Sequence, residues 1–143
     1  MAAFLLDVNV LIALAWPTHT AHQSVQRWFG KNARHGWATC PLTESAFVRI
    51  LSNPAFSSHA LNPREALGLL KANKQHPAHR FFADEISFPE AVKGFEQRLV
   101  GHRQVTDAYL LGLAMYHKSM LATLDSGLKS LAGELAGLEL IRQ

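Results

Sequence analysis

Short uninterrupted hydrophobic runs alternate along the chain with longer segments in which hydrophobic positions recur every three or four residues. The short runs predict strands buried on both faces, and they cover residues 4–6, 37–40, 120–124 and 138–141. The longer segments predict helices at residues 10–15, 19–34 and 89–99, with three further helices beginning at Thr43, at Asn62-Pro63 and at Thr106. Residues 81–88 fit either a strand or an irregular segment.

The alternation of strands and helices indicates the fold class. Strands separated by helices favour an α/β fold with a mainly parallel central sheet, because a helix returns the chain to the start of the next parallel strand. The length of 143 residues fits one domain, and no linker, internal repeat or low-complexity tract divides the chain. We therefore expect a single domain that covers residues 1–143.

Four acidic residues lie beside these hydrophobic segments, where a surface charge is unexpected. Asp7 ends the first strand, and Asp125 follows the strand at residues 120–124. Glu44 lies in the first turn of the helix after the second strand, and Asp107 lies in the first turn of the helix that leads into the third. Because ligands of open parallel sheets bind outside the carboxyl ends of the strands, we expect the four carboxylates to share that edge.

Four carboxylates that share one edge would repel one another unless a cation compensated their charge. Oxygen ligands suit hard ions such as Mg²⁺ and Mn²⁺, which lower the pKa of water and stabilise a phosphoryl displacement. The chain has 14 Lys and Arg against 11 Asp and Glu, and without these four negative charges its formal net charge rises from +3 to +7. A basic protein with an acidic pocket fits a metal-dependent enzyme that acts on a polyanion.

Each acid taken singly also has an ordinary structural interpretation. Glu44 and Asp107 could favour the dipole of the helix that each one begins. Asp125 could be a turn residue before Ser-Gly, and Asp7 could cap the following helix. The combination of four acids at one predicted edge is what favours the metal site.

Other common catalytic and metal-binding patterns are weak or missing in the sequence. The single cysteine, Cys40, excludes an intrachain disulfide and a cysteine-rich zinc site, and its place between a strand and Pro41 favours the core. Eight histidines include two pairs at helical spacing without a third ligand, so zinc is disfavoured. The phosphate-binding glycine loops and the G-x-S-x-G motif of hydrolases do not occur.

The composition and the hydrophobic stretches of the chain indicate its cellular location. Hydrophobic residues make up 48% and charged residues 17% of the chain, which is typical of a globular protein. The longest uncharged stretch, residues 8–26, contains Pro17 and two histidines, so no membrane span is predicted. No basic segment precedes the first hydrophobic run, and Asp7 interrupts it, so no signal peptide is predicted. A soluble cytoplasmic protein is the expectation.

Four sequence motifs around these acids resemble those of one known family. Asp7 lies in LLDVNVLIAL, Glu44 in PLTESAF, Asp107 in QVTDAYLLGLA and Asp125 in LATLDSGL. In this order they resemble the PIN domain, specifically the VapC-type ribonuclease toxins, over residues 4–141. The resemblance implies a three-layer α/β/α sandwich around a parallel sheet. The four acids match the acidic quartet of that family, and one departure is Leu128, where many relatives carry an aromatic residue.

The same resemblance implies an activity. Asp7 and Asp107 would hold the principal Mg²⁺ or Mn²⁺, with Glu44 and Asp125 completing the site directly or through water. Asn9 and Thr123 match polar positions that support the site, and we expect them to orient the acids through hydrogen bonds. The expected reaction is hydrolysis of an RNA phosphodiester, leaving a 3′-hydroxyl and a 5′-phosphate. Transfer RNA and ribosomal RNA are both reasonable substrates.

The resemblance further implies two protein partners. Several large hydrophobic residues are expected to be exposed in excess of what a small core needs: Trp16, Trp28, Trp37, Phe81 and Phe82. In VapC-type toxins of type II toxin–antitoxin systems, such surface is covered by a second copy and by the C-terminal segment of the cognate antitoxin. We therefore expect a homodimer and an antitoxin partner.

Two other functions remain open from the sequence. A Mg²⁺-dependent phosphatase could use Asp7 as its nucleophile, with Lys118 as the nearest candidate lysine, but Asn9 stands where such enzymes carry a second acid. A non-catalytic RNA-binding or protein-binding module could also keep this fold. It would have no reason to retain four mutually repelling carboxylates.

Overall fold

A computed structural model describes residues 3–134 and 137–143 of the chain. Within these residues, five strands form one sheet in the order β3-β2-β1-β4-β5, and all four pairings are parallel. The strands are β1 (Phe4–Leu6), β2 (Trp37–Thr39), β3 (His79–Phe81), β4 (Met120–Thr123) and β5 (Leu138–Leu140). The prediction of an α/β fold with a parallel sheet is confirmed.

Seven α-helices are assigned in the described part of the chain. They are α1 (Val8–Ala15), α2 (His22–Asn32), α3 (Pro41–Leu51), α4 (Pro63–Asn73), α5 (Phe88–Val92), α6 (Val105–Tyr116) and α7 (Leu128–Ala132). Three 3₁₀ turns cover Ala33–His35, Glu96–Arg98 and His102–Gln104. Among the described residues, no helix is long and apolar enough to cross a membrane.

The helices cover both faces of the sheet. Leu5 and its neighbour Leu121 pack against α5, α6 and α7, whereas Leu6 and its neighbour Ala122 pack against the helices α1 to α4. This division follows from the strand geometry, because successive side chains point to opposite faces. The three-layer α/β/α sandwich is thus confirmed, with one apolar core on each side of the sheet.

Several helix boundaries differ from the predictions because of local capping. The helix predicted to begin at Thr43 begins at Pro41, since the Thr43 hydroxyl turns back to accept a hydrogen bond from the Cys40 N–H at 3.0 Å. The helix expected from Thr106 begins one residue earlier, directly after a 3₁₀ turn. The helix expected at residues 19–34 begins at His22 and ends at Asn32, where a 3₁₀ turn takes over.

The segment before α6 is more broken than the hydrophobic pattern indicates. The helix predicted at residues 89–99 is present but shorter: α5 ends at Val92, and a separate 3₁₀ turn follows Gly94, a residue that is unfavourable in helices. Residues 81–88 do not form a strand of their own. The strand found here, β3, covers His79–Phe81, and the segment from 82 to 87 is irregular. The short helix α7 was not predicted, because five residues carry too little periodicity.

The expected excess of exposed aromatic residues is largely wrong. Trp37 and Phe82 are buried, and Trp16 and Trp28 are half-buried. The two half-buried rings make edge-to-face contacts inside the molecule, with centroid distances of 5.0 Å for Trp28 and 5.2 Å for Trp16. Of the expected set, Phe81 alone is exposed. Cys40 is fully buried in the core, as predicted.

Candidate acidic active site

Asp7 lies between β1 and α1, at the carboxyl end of the central strand. Its Oδ1 atom caps α1 by accepting a hydrogen bond from the Val8 N–H at 2.7 Å, and its Oδ2 atom accepts one from the Thr123 hydroxyl at 2.8 Å. The residue is 5% exposed. Burial raises the pKa of this carboxyl and outweighs both hydrogen bonds, and the negative charge of Asp125 adds to the increase.

The Thr123 hydroxyl, at the end of β4, connects three parts of the site. Because its one hydrogen goes to Asp7, its lone pairs accept from the Asn9 amide at 3.2 Å and from the Asp125 N–H at 3.1 Å. The Asn9 carbonyl in turn accepts from the Leu124 N–H at 3.2 Å. Asn9 and Thr123 therefore hold the ends of β1 and β4 together and fix the Asp7 carboxylate.

Asp125 begins the turn after β4. Its Oδ1 atom accepts a hydrogen bond from the Gly127 N–H at 2.8 Å, which is the usual pattern of an aspartate-initiated turn. Its second oxygen lies in an exposed side chain and is available to a ligand. The turn interpretation and the site interpretation of Asp125 are compatible.

Asp107 lies in the first turn of α6, as predicted, and is half-buried. Its pKa is raised from 3.8 to about 6, chiefly by burial and further by the negative charges of Asp7 and Asp125. The three aspartates thus form one electrostatic group. Within residues 3–134 and 137–143, none of them forms an ion pair with a Lys, Arg or His side chain.

Glu44 has different partners. It lies in the first turn of α3, as predicted, but its Oε2 atom accepts a hydrogen bond from the Thr39 hydroxyl at 2.6 Å and pairs with the Lys74 ammonium at 2.8 Å. Its charge is therefore compensated by the protein itself. The charges of Asp7, Asp107 and Asp125 act on one another, whereas Glu44 lies on the β2–β3 side, paired with Lys74.

His79 completes the network around Glu44. The one hydrogen of the Thr39 hydroxyl goes to Glu44, so the His79 Nε2 atom, 2.8 Å away, must donate to that hydroxyl. Burial and the nearby Lys74 charge lower the pKa of His79, which agrees with a neutral ring protonated at Nε2. His76 and His79 are three residues apart but do not share a helix, because His79 begins a strand.

Sequence reasoning missed Lys74 and the role of His79. Lys74 follows the last residue of α4, and nothing in its neighbours distinguishes it from an ordinary surface lysine. The parallel register of β2 and β3 brings the region of His79 beside Thr39, and that register is a property of the folded sheet. The only signal in the sequence was His79 itself, which lies just before residues 81–88, a segment that fits either a strand or an irregular segment.

The donor set fits a hard divalent cation. All three aspartates offer oxygen, and among the described residues none of them pairs with a protein cation. In the described residues, no three acidic, histidine or cysteine side chains stand close enough to hold one ion as they are. Mg²⁺ keeps several of its waters when it binds proteins and uses only one or two carboxylates directly, so the residues present are compatible with the ion.

Comparisons with known proteins find related sequences. A family model described as the PIN domain matches residues 4–134. Ribonuclease VapC38 of Mycobacterium tuberculosis is 46% identical over 128 residues, covering 90% of this chain and 89% of the relative. Ribonuclease VapC39 of the same species is 40% identical over 134 residues, covering 94% and 95%.

Solved structures show the same fold at low sequence identity. The VapBC2 structure from Rickettsia felis, bound to a DNA fragment from its promoter, matches with a TM-score of 0.69 and 10% identity, covering 98% of this chain and 99% of the other. A toxin–antitoxin complex from Klebsiella pneumoniae matches with a TM-score of 0.63 and 14% identity, covering 100% and 99%.

Proposed function

The chain belongs to the PIN-domain family, and from this premise we propose that it is a ribonuclease toxin that requires Mg²⁺ or Mn²⁺ to hydrolyse RNA. The observation that carries the proposal is the environment of the Asp107 carboxyl. Its carboxyl is half-buried beside two other aspartates, without a protein cation among the described residues. Such a group is unfavourable for stability, and a divalent cation is the partner that its charge and its oxygen donors require.

Asp7, Asp107 and Asp125 would hold the cation. A divalent ion bound there supplies acidified water and neutralises charge on the phosphoryl oxygens. The chain contributes orientation: Thr123 and the Val8 N–H fix both oxygens of Asp7, and the Gly127 N–H fixes one oxygen of Asp125. These contacts reduce the reorganisation needed when substrate binds.

Glu44 is proposed as the fourth acid, at the margin of the site. Lys74 and Thr39 hold its carboxylate in one position, so it can complete the site through water while its charge stays compensated. Asn9 is proposed to support the site indirectly, through Thr123 and the Leu124 N–H. The basic remainder of the chain favours a polyanionic substrate.

The proposed partners are an RNA, a cognate antitoxin and a second copy of the chain. Relatives at 40–46% identity are named ribonucleases, which supports RNA, and transfer RNA or ribosomal RNA is the proposed class. The similar structure from Klebsiella pneumoniae is a toxin–antitoxin complex, which supports an antitoxin. The cytoplasmic location and the homodimer stay predictions.

The phosphatase alternative receives no support from the geometry. Lys118 lies two residues before β4, at the amino-terminal end of the sheet, opposite the end that carries Asp7. The side chain of Asn9 is engaged with Thr123 and Leu124 and offers no second carboxylate. A purely binding module would gain stability by losing the aspartates, because their repulsion opposes folding.

The experiment is cleavage of end-labelled RNA with Mg²⁺, with Mn²⁺ and with EDTA. We expect wild-type protein to cut RNA with either ion, to leave 5′-phosphates, and to be inactive in EDTA. Asp7→Asn should keep the fold by circular dichroism and lose cleavage, whereas the matched control Glu96→Gln, an exposed acid outside the site, should keep it. Undiminished cleavage by Asp7→Asn, or cleavage in EDTA, would contradict the proposal.

A further inference from the structure

Phe81 is the last residue of β3, and 51% of it is exposed. It pairs in register with Thr39, the last residue of β2, so it lies at the carboxyl edge of the sheet, where the acids are located. Among the described residues, it belongs to neither of the two apolar cores. Folding therefore does not explain a large hydrophobic ring at this position.

The backbone beneath Phe81 is firmly held. The Phe82 N–H donates to the Thr39 carbonyl at 2.8 Å, which continues the parallel pairing beyond the strand end. The Phe82 side chain points to the opposite face, is buried in the core and stacks on His117 with ring centroids 4.0 Å apart. Phe81 is thus an exposed ring on a fixed support, which limits the entropy lost when a ligand packs against it.

Lys74 connects this ring to the acidic site. Its ammonium nitrogen lies over the Phe81 ring, 5.1 Å from the centroid, and 2.8 Å from the Glu44 carboxylate. The side chain is 31% exposed, so part of its donor capacity faces solvent. An aromatic face and a cation stand side by side, next to Glu44.

We propose that Phe81 and Lys74 form a nucleotide subsite, in which the ring stacks on an unpaired base of the RNA and the ammonium contacts a neighbouring phosphate. The inference rests on the proposed function, and it specifies the substrate class as RNA with an unpaired nucleotide beside the cut. Every base has a π-face, so a single aromatic ring binds single strands with little sequence preference. A base inside a duplex is already stacked and cannot use the ring.

A protein partner would be a weaker match for this surface. Protein interfaces use aromatic residues within larger apolar patches, whereas Phe81 is flanked by the Lys74–Glu44 ion pair. The Lys74 ammonium and the Phe81 ring together match a nucleotide, in which a phosphate is joined to a base. An antitoxin segment or a second copy on Phe81 is the competing outcome of the test.

The test measures binding of the full chain in EDTA, where RNA is not cut, to three probes of equal length: single-stranded oligoadenylate, the same length of abasic ribose phosphate, and a blunt RNA duplex. Wild-type protein should bind oligoadenylate more tightly than the other two probes. Phe81→Ala should weaken oligoadenylate binding by about 5- to 100-fold and leave abasic binding unchanged, while Phe81→Trp retains binding. Phe88→Ala, which removes another exposed ring, is the matched control and should bind like wild type.

Equal affinity of wild type and Phe81→Ala for oligoadenylate would overturn the subsite, as would an equal loss on the abasic probe. A change confined to the sedimentation of the chain or to antitoxin binding would assign Phe81 to a protein interface and also overturn it. These failures leave the proposed function intact if wild-type protein still cuts RNA with Mn²⁺. Absence of that cleavage would reject the proposed function itself.

Discussion

The hydroxyl of Thr123 donates a 2.8 Å hydrogen bond to the carboxylate of Asp7, joining the carboxyl ends of two neighbouring parallel strands. The two residues are 116 positions apart in sequence and both are buried. A buried carboxylate needs donors, and Thr123 supplies one while its own lone pairs accept from Asn9 and from the Asp125 N–H. The geometry of the site therefore depends on this one hydroxyl.

Replacing Thr123 by valine tests that dependence. Thr123→Val keeps the shape of the side chain but leaves Asp7 without its side-chain donor, so we expect a loss of about 1–3 kcal/mol in the free energy of unfolding. Thr123→Ser removes a methyl group but keeps the hydroxyl. Urea denaturation measures the stability of both variants. The Mn²⁺ affinities of the two variants distinguish a packing role of Thr123 from a positioning role. We expect the affinity to drop by about 10- to 100-fold in Thr123→Val and to change little in Thr123→Ser. Equal affinities would argue against a positioning role.

The raised pKa of Asp107 predicts a pH dependence of stability. Folding raises this pKa from 3.8 to about 6, so the folded chain binds the proton more tightly than the unfolded chain. The contribution of Asp107 to the free energy of unfolding is therefore complete below 3.8 and is lost as the pH rises through about 6. Asp107→Asn does not titrate and should lack this part of the slope.

Urea denaturation of both proteins in EDTA, at several pH values, provides the measurement. The difference in the free energy of unfolding, wild type minus Asp107→Asn, should fall steadily from acid to neutral pH. The other titrating groups are common to both proteins and cancel in this difference to a first approximation. A difference that is flat with pH, or that rises, would show that burial and the other aspartates do not raise the pKa of Asp107.

The Lys74–Glu44 pair should be coupled. Both side chains are largely buried, at 31% and 17% exposure, so removing one partner leaves the other poorly compensated. In a double-mutant cycle with Lys74→Met and Glu44→Gln, we expect a coupling free energy of about 1 kcal/mol in urea denaturation. A coupling near zero would mean that the pair does not hold Glu44, and that this acid is free to join the aspartates.

Gly112 permits close packing of α6 against α5. A Cβ atom at this position would lie 2.0 Å from the Ala91 carbonyl oxygen, a backbone atom that cannot move aside cheaply. We expect Gly112→Ala to destabilise the protein by about 1–3 kcal/mol or more, despite the higher helix propensity of alanine. Gly68→Ala in α4 has open space around it and should stabilise slightly. Thermal denaturation compares the two, and equal melting temperatures would contradict the packing argument.

The sequence predicted the elements that position the aspartates because those elements are buried and strongly patterned. The runs that end at Asp7 and precede Asp125 are uninterrupted, and both proved to be strands of one parallel sheet. Asp107 reaches the same edge because a helix that leads into a parallel strand must begin where that strand ends. Simple topology was sufficient for these three residues.

The environment of Glu44 depends on tertiary contacts that no local pattern encodes. Its position in the first turn of α3 follows from the helix pattern, but its pairing with Lys74 depends on how α4 packs beside α3. Phe81, the last residue of the edge strand β3, is exposed, and the next residue, Phe82, is buried. Which of the two side chains faces the core depends on how β3 is oriented in the folded sheet. A hydrophobic pair in the sequence does not reveal which residue faces the core.

Calorimetric titration of Mn²⁺ into the metal-free protein tests the central claim most directly. If Asp7, Asp107 and Asp125 together bind the catalytic cation, wild-type protein should show saturable binding that releases protons when the pH is below about 6, because ligation requires Asp107 to be ionised. Asp107→Asn should bind at least about 10-fold more weakly, without that proton release. Mn²⁺ binding of equal strength in both proteins, or none in wild type, would contradict the account.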